Sequence, residues 1–244
     1  MKNLVSVAMV SALCYATHVN AGITISSMIN FAENNTTEFV VVNDDTERQF
    51  INVQVKEVKV DDHGNLIKIP YTRENIDTWS AFSTPARGIL EPDGKKAFRI
   101  KYQSLADHDE NADKIYQVSF IPAPYRGDEE KVESTVKMAV GFSPFFIVPS
   151  KVDHPLSYEV KHNGKTMSIY NKGKSYLRAS LDTCESSGQA ESDNCYQQAF
   201  ILSGRTVTIP LPVSMQKSVT VEFLTHNSKF EEKFELGVGK SKRS

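Results

Sequence analysis

Three Gly-Lys-Ser/Thr triplets are the first candidates for chemistry in this sequence, because such triplets close the loops that cradle nucleotide phosphates. They begin at Gly164, Gly173 and Gly239. A phosphate loop also needs a glycine about five residues before the glycine of the triplet. None of the three triplets has that glycine. They therefore indicate hairpin turns or a tail rather than a nucleotide site.

Histidines beside acidic residues are the second candidates, since such clusters can hold a cation. His63 lies in the segment DDHGN and His108 in DHDEN, but neither segment has the spacing or the distal Glu of an EF-hand loop. The G-x-S-x-G elbow of hydrolases and the H-E-x-x-H zinc motif are absent from the sequence. We therefore expect a protein without catalytic residues, bound metal or cofactor.

Two cysteines of the segment CESSGQAESDNC, Cys184 and Cys195, flank a polar loop. On an exported chain, two cysteines placed in this way predict one disulfide. A zinc site is the rival interpretation, but no second pair of Cys or His stands at ligand spacing.

The first 21 residues predict a cleavable secretory signal. Lys2 supplies the basic start, the run from Leu4 to Ala16 is too short to span a bilayer, and a small-residue cleavage site ends at Ala21. No later run is long and apolar enough to cross a membrane. The formal net charge of −2 argues against nucleic acid as a partner.

Short alternating segments separated by turns predict strands along the rest of the chain. The segment DDHGN, the pair Asn163-Gly164 and the turn Glu91–Gly94 are turn signals. No stretch has a sustained helical period. The pattern predicts an all-β fold of two tandem immunoglobulin-like sandwiches, over residues 22–149 and 150–240, with the basic end GKSKRS as a frayed tail.

The segment TVKMAVGFSPFFIVP carries four apolar residues at alternate positions: Val136, Met138, Val140 and Phe142. This is the period of a strand with one apolar face. Pro144 lacks the N–H of a ladder residue, and proline is confined to the edges, ends and bulges of sheets. An apolar edge strand is an aggregation hazard, so its face either lines a core or waits for another chain.

Several segments resemble the periplasmic chaperones of the chaperone–usher pilus pathway. The most specific is STPARGILEPDGKKAFRIKY, which is similar to the family's Thr-Pro, its Leu-x-Pro-Gly-like turn and its basic-flanked strand ending in Arg. IYQVSFIPAP and FFIVPSK resemble the next strand and the exit into the second domain. The cysteine loop and NKGKSYLRASL resemble the divergent alternate branch. The resemblance covers nearly the whole mature chain and implies two immunoglobulin-like sandwiches at an angle, with a cleft between them.

The resemblance also implies a function, which is not enzymatic. Such chaperones bind pilin subunits in the periplasm by donor-strand complementation, in which they lend a strand to a pilin that lacks one, and deliver them to an outer-membrane usher. The implied donor side chains are Val136, Met138, Val140 and Phe142. The alternative is that these four line the sandwich of their own domain. A bulge at Gly141 or Pro144 would change which side chains face the pilin.

Many relatives anchor the carboxylate of the pilin through an Arg of the first strand and a Lys of the donor strand. Ile29 and Pro144 occupy those places in this sequence, and neither side chain can bind an anion. The candidate replacements are Lys137, Lys151 and Arg178, or backbone amides in the cleft.

Arg99 matches a family Arg that takes part in a charge network and steadies the angle between the domains. The sequence leaves its acidic partner open among Glu110, Asp113 and other residues. The alternative for Arg99 is a solvated residue at the end of a strand.

A second hypothesis is a secreted two-domain adhesin or pilus subunit that binds a receptor through its loops. A subunit is expected to have a free N-terminal donor extension and an incomplete sandwich. This chain has enough predicted strands for two complete sandwiches, and the first predicted strand begins close to Gly22, which favours the chaperone. The sequence leaves open whether the free protein caps its own donor strand as a homodimer.

Overall fold

The computed structural model describes residues 22–106, 108–125, 140–184 and 194–244, and its regular structure is almost entirely β. The strands of the first part are β1 Ile23–Ile25, β2 Ile29–Phe31, β3 Thr36–Asn43, β4 Gln49–Val60, β5 Leu66–Pro70, β6 Ala81–Thr84, β7 Arg87–Leu90, β8 Lys95–Tyr102, β9 Lys114–Pro124 and β10 Phe145–Val148. Those of the second part are β11 Tyr158–His162, β12 Thr166–Asn171, β13 Leu177–Asp182, β14 Tyr196–Ile201, β15 Thr206–Pro210, β16 Val219–Leu224, β17 Glu231–Leu236 and β18 Ser241–Arg243. Short 3-10 helices span Arg73–Thr78, Val213–Met215 and His226–Ser228. Within these described ranges no helix is long and apolar enough to cross a membrane.

The first sandwich packs a four-stranded sheet, β1-β3-β8-β6, on a six-stranded sheet, β2-β10-β9-β4-β5 with β7 also paired to β4. Its core forms because alternate residues of the facing strands are large and apolar, among them Phe39, Phe98, Phe120 and Phe146, all fully buried. The edges of Phe39 and Phe98 both meet the ring of Phe120, which joins the two sheets.

The second sandwich packs two four-stranded sheets, β15-β12-β11-β18 and β14-β13-β16-β17. Tyr158 and Phe223 are fully buried between them and contact each other edge to face. The predicted all-β class with two sandwiches is therefore confirmed.

Two predicted hairpins are confirmed by the strand pairing. DDHGN joins β4 to β5, and Asn163-Gly164 joins β11 to β12, with both pairs antiparallel. Gly64 and Gly164 have φ of +79° and +81°, the left-handed region that hairpin turns favour and that side chains disfavour.

The C-terminal end is a strand, and the prediction of a frayed tail for GKSKRS is wrong. β18 pairs with β11 at the edge of the second sandwich, so this sandwich extends beyond residue 240. The side chain of Lys242 also fixes this strand to the sandwich. Its Nζ lies 2.7 Å from a carboxylate oxygen of Glu232 and 4.0 Å from the ring centre of Phe234.

The predicted disulfide is present and joins Cys184 to Cys195, with an S–S distance of 2.04 Å. Cys184 follows β13 and Cys195 precedes β14, and these two strands are antiparallel neighbours. The bond therefore closes the β13–β14 connection at its base.

A third apolar cluster lies between the sandwiches and is called the junction cluster below. Its buried members are Val58, Ile115, Ile147, Tyr176 and Leu202, with Ile29, Phe31, Val60, Leu66, Phe145 and Phe200 packed against them. The ring of Phe31 from the first sandwich stacks on that of Tyr176 from the second, with 4.6 Å between ring centres. The two sandwiches thus share buried apolar surface.

Candidate functional site

The strand β10 continues upstream of its first residue along the edge of the six-stranded sheet. The N–H of Phe142 donates to the carbonyl oxygen of Phe120 at 3.1 Å, and the N–H of Phe120 donates back at 2.7 Å. The N–H of Val118 donates to the carbonyl of Pro144 at 2.9 Å. These bonds keep the register in which Phe146 pairs with Tyr116. No bulge interrupts the strand, because Pro144 loses only its own donor and still accepts from β9.

The unbroken register determines which way each side chain points, because strand residues alternate between faces. Phe142, Phe146 and Val148 lie on one face and pack in or against the core of the first sandwich. Phe145 and Ile147 lie on the other face and pack in or against the junction cluster. Of the four donor candidates, Phe142 therefore packs against the core of its own domain, as the alternative interpretation of the sequence expected.

Val140 differs from Phe142, because half of its side chain, 50%, is exposed. Val136 and Met138, the other two donor candidates, lie outside the described residues, as does Lys137.

The outer side of the strand at residues 140–143 has no partner strand in the described part of the chain. β2 pairs with β10 only from Phe145 to Ile147, in parallel register. β9 covers the inner side of the same segment through the Phe120–Phe142 bridge. An extended segment with one unpaired side can accept a further strand from another chain.

Gly141 lets this segment approach β9 closely. A Cβ at this position would lie 2.6 Å from the carbonyl oxygen of Phe120 and 3.4 Å from Cδ of Pro122. Both atoms belong to β9, the neighbouring central strand, so they cannot move away without disturbing the sheet.

We expect Gly141→Ala to lower the free energy of unfolding by about 1–3 kcal/mol, because the added methyl group overpacks against backbone. Amide hydrogen exchange should show the loss locally, as faster exchange at Phe142 and Phe120. Gly237→Ala is the matched control, since the nearest atom to its Cβ is a flexible lysine carbon at 3.8 Å. Equal exchange rates in the Gly141→Ala variant and the unmodified chain would contradict the close approach.

Ile29 and Pro144, the two positions at which the sequence resemblance implies anchoring cations, lie on neighbouring segments of the chain. Phe145, which follows Pro144, pairs with Ile29 and donates its N–H to the carbonyl of Met28 at 2.9 Å. Pro144 is buried and Ile29 is partly buried against the junction cluster. These side chains offer no positive charge to an anion.

The candidate replacements Lys151 and Arg178 have different surroundings. Lys151 forms an exposed ion pair with Glu110, with 2.7 Å between Nζ and Oε1. Arg178 is partly buried on β13, directly opposite Phe200, which packs against the junction cluster. Among the residues that the structure describes, Arg178 forms no ion pair, so its charge is available at the border of the junction.

Arg99 pairs with a residue of its own sheet. Its guanidinium lies 4.0 Å from the carboxylate of Glu38 on the adjacent strand β3, and 69% of its side chain is exposed. Of the two acids that the sequence left open as partners, Glu110 pairs with Lys151 and Asp113 accepts backbone N–H groups.

Sequence reasoning named Asp113 only as a possible partner of Arg99 and missed its contact with the second sandwich. Burial raises the pKa of its carboxyl above the ordinary value, and bonds from the N–H groups of Ser150 and Tyr176 act in the opposite direction. Burial also raises the pKa of Tyr176 to about 12, with the nearby Asp113 carboxylate as the second cause. In the sequence Asp113 is one acid among several in LADHDENADK, and no local signal separates it from the others.

The segments first considered for catalytic chemistry form turns and loops. The triplets at Gly164 and Gly239 lie in the turns before β12 and β18, and the triplet at Gly173 lies in the loop after β12. The described ranges contain no group of three or more His, Cys, Asp or Glu side chains placed to hold a metal ion.

Comparison with known proteins identifies the family. The model of the CS5 fimbrial protein N-terminal domain matches residues 25–149. No curated protein matches the chain.

Solved structures share its fold over both sandwiches. The class 5 fimbriae chaperone CfaA superposes with a TM-score of 0.52 at 15% identity, over 89% of this chain and 99% of that one. The Escherichia coli chaperone DraB gives 0.51 at 13% identity, over 88% and 96%. A chain from the complex of the Salmonella enterica SafA pilin with the SafB chaperone gives 0.51 at 12%, over 88% and 96%.

At these identities the superpositions establish the fold, and the family match covers half of the chain. Fimbrial chaperones are not enzymes. The chain belongs to the family of the CS5 fimbrial protein N-terminal domain and has the two-sandwich fold of the fimbrial chaperones of chaperone–usher pathways, as its sequence resemblance implied.

Proposed function

We propose that this protein is a periplasmic chaperone that binds pilin subunits by donor-strand complementation and delivers them to an outer-membrane usher. The observation that carries the proposal is the edge at residues 140–143, where an extended segment is held in register by β9 and has no partner strand on its outer side within the described ranges. Strand addition at such an edge gains main-chain hydrogen bonds along its whole length.

The side chains of the proposed donor strand supply the specificity. Val136, Met138 and Val140 stand at alternate positions, so they would enter neighbouring pockets of a groove in the client. Phe142 belongs to the same series and packs partly on the core of its own domain. It would therefore join the donor segment to the chaperone rather than fill the deepest part of the groove.

Arg178 is the proposed anchor for the C-terminal carboxylate of the client. Its guanidinium forms no ion pair with the described residues and lies at the border of the junction cluster, which supports this role because arginine binds carboxylates in bidentate geometry. Lys151 is the weaker candidate, since Glu110 already neutralises its charge. Lys137 stays a candidate from the sequence alone.

Export to the periplasm is proposed from the N-terminal signal, with the mature chain starting at Gly22. No energy source is needed for delivery if the exchange of strands between pilins buries the groove better than the chaperone strand does. Homologous folds crystallised with a pilin or a tip adhesin support a client of this class. The alternative of a pilus subunit is disfavoured, because each sheet of both sandwiches here has at least four strands.

Co-expression with a pilin subunit in two forms tests the proposal. The first form is the natural subunit with its open groove, and the second carries its missing strand fused to its own C-terminus. We expect the tagged chaperone to retain the open subunit through purification from the periplasm and to release the self-complemented one. Retention of both forms, or of neither, would overturn donor-strand complementation.

A further inference from the structure

The linker between the sandwiches, residues 149–157, is hydrogen-bonded to the loop that precedes β9. The N–H of Lys151 donates to the carbonyl of Glu110 at 3.0 Å, and Nε2 of His154 lies 2.7 Å from the carbonyl oxygen of Asn111. The second sandwich also holds the linker, through an ion pair of 2.6 Å between Nζ of Lys229 and Oδ2 of Asp153. The linker is therefore part of a hydrogen-bonded junction rather than a free tether.

Asp113, in the loop before β9, accepts hydrogen bonds both from the linker and from the second sandwich. Its Oδ1 accepts the N–H of Ser150 in the linker at 2.8 Å. Its Oδ2 accepts the N–H of Tyr176 in the second sandwich at 2.7 Å. One carboxylate of the first sandwich thus holds two backbone donors that belong to different parts of the chain.

Tyr176 extends this polar contact into the apolar junction. Its ring is buried and stacks on Phe31 of the first sandwich, and its hydroxyl lies 3.1 Å from Nδ1 of His226. The bond to Asp113 fixes the backbone from which this ring projects. A displacement of the Tyr176 backbone would therefore also break the stacking on Phe31.

We propose that Asp113 is the positioning residue that sets the orientation of the second sandwich relative to the first. Arg99, which the family resemblance assigned to this task, forms its ion pair with Glu38 inside the first sandwich. The consequence for client capture rests on the proposed function, because a client held at both β10 and Arg178 requires one fixed orientation.

The geometry demands a carboxylate at this position. Two N–H donors converge on the side chain, and only an ionised carboxyl group offers two acceptor oxygens without a donor. The isosteric Asn offers one acceptor and turns an NH₂ group toward the second N–H, so it leaves that buried donor without a partner. Burial raises the pKa of Asp113 because desolvation disfavours the ionised form, and the two N–H donors act in the opposite direction by stabilising that form.

Nuclear magnetic resonance of the full mature chain tests the proposal. Residual dipolar couplings should fit a single alignment tensor for both sandwiches in the unmodified protein and two different tensors in Asp113→Ala. Amide exchange of Tyr176 should accelerate by about tenfold or more, as expected for the loss of a charge-assisted bond worth about 1.4 kcal/mol or more. In Asp113→Asn the same acceleration should appear at only one of the two amides, Ser150 or Tyr176.

A spectroscopic signature separates this role from a general loss of stability. In the unmodified protein the amide proton shifts of Ser150 and Tyr176 should titrate together with the Asp113 carboxyl, at a pH above the ordinary range of aspartate. Asp113→Asn should abolish this titration. The charges of His154 and His226 also act on Asp113, so the ring signals of both histidines are followed in the same experiment.

Glu110→Gln is the control, because it removes the exposed ion pair with Lys151 and leaves Asp113 in place. It should keep one alignment tensor and the exchange rate of Tyr176. A single tensor and an unchanged Tyr176 amide in Asp113→Ala would overturn the positioning role. Pilin capture is measured separately on the same variants. If the unmodified chain captures no pilin, the proposed function is wrong, but the positioning role of Asp113 still stands or falls on the orientation data, which need no client.

Discussion

Replacing Met138 and Val140 together with glutamate is expected to abolish co-purification with pilin subunits while the chaperone itself stays folded. Two carboxylates would have to enter apolar pockets of the client without partners, and each buried unpaired charge costs several kcal/mol. Because 1.4 kcal/mol corresponds to a factor of ten, we expect the affinity to fall by at least about 100-fold. The free chaperone should tolerate Val140→Glu, since this side chain is already 50% exposed.

The matched control is Val213→Glu, a change of the same residue type at a position that is 86% exposed in the second sandwich. It should leave both pilin capture and the urea unfolding curve unchanged. Phe142→Glu is unsuitable as a test, because Phe142 packs against the first core and a carboxylate there would destabilise the domain itself. If the Met138→Glu/Val140→Glu protein still co-purified with pilin, these residues would not be the donor side chains.

Removal of the disulfide by Cys184→Ser with Cys195→Ser is expected to lower the free energy of unfolding of the second sandwich by about 3 kcal/mol. The bond closes a loop with a sequence separation of 11, and without it the unfolded chain regains the entropy of that loop. Urea unfolding followed by circular dichroism measures the loss. A loss of this size is a large part of the stability of a domain of ordinary size.

Trp79 supplies an internal control, because the sequence has one Trp and it lies in the first sandwich. The fluorescence transition of Trp79 should shift less than the dichroism transition when the disulfide is removed. Reduction of the unmodified protein with dithiothreitol should reproduce the effect of the double variant. An unchanged unfolding midpoint in both experiments would contradict a stabilising role for the bond.

Local signals in the sequence were sufficient for much of the fold. Hairpin turns such as Asn163-Gly164 follow from the φ values that two residues can adopt, and alternation follows from the pleat of a strand. The pairing of Cys184 with Cys195 was predicted because the third cysteine, Cys14, lies in the predicted signal and leaves no other partner. Each of these features depends on neighbours in the chain, which a sequence displays directly.

β18 shows where local signals fail. The segment GKSKRS is short, basic and poor in strand formers, so its composition indicates a tail. It is a strand because its backbone pairs with β11, and the side chain of Lys242 also contacts Glu232 and Phe234 of β17. Tertiary contacts of this kind override weak intrinsic preferences.

The candidate site divides in the same way. The sequence by itself predicted an apolar strand at the end of the first domain, with Pro144 inside it, and showed that neither Ile29 nor Pro144 can supply a positive charge. Only the tertiary structure decided that the register passes Pro144 without a bulge and that Phe142 faces its own core. It also decided that Asp113, rather than Arg99, meets the second sandwich. The physical reason is that facing, burial and hydrogen-bond partners depend on residues far apart in the chain: Asp113 and Tyr176 become neighbours only when two sandwiches pack against each other.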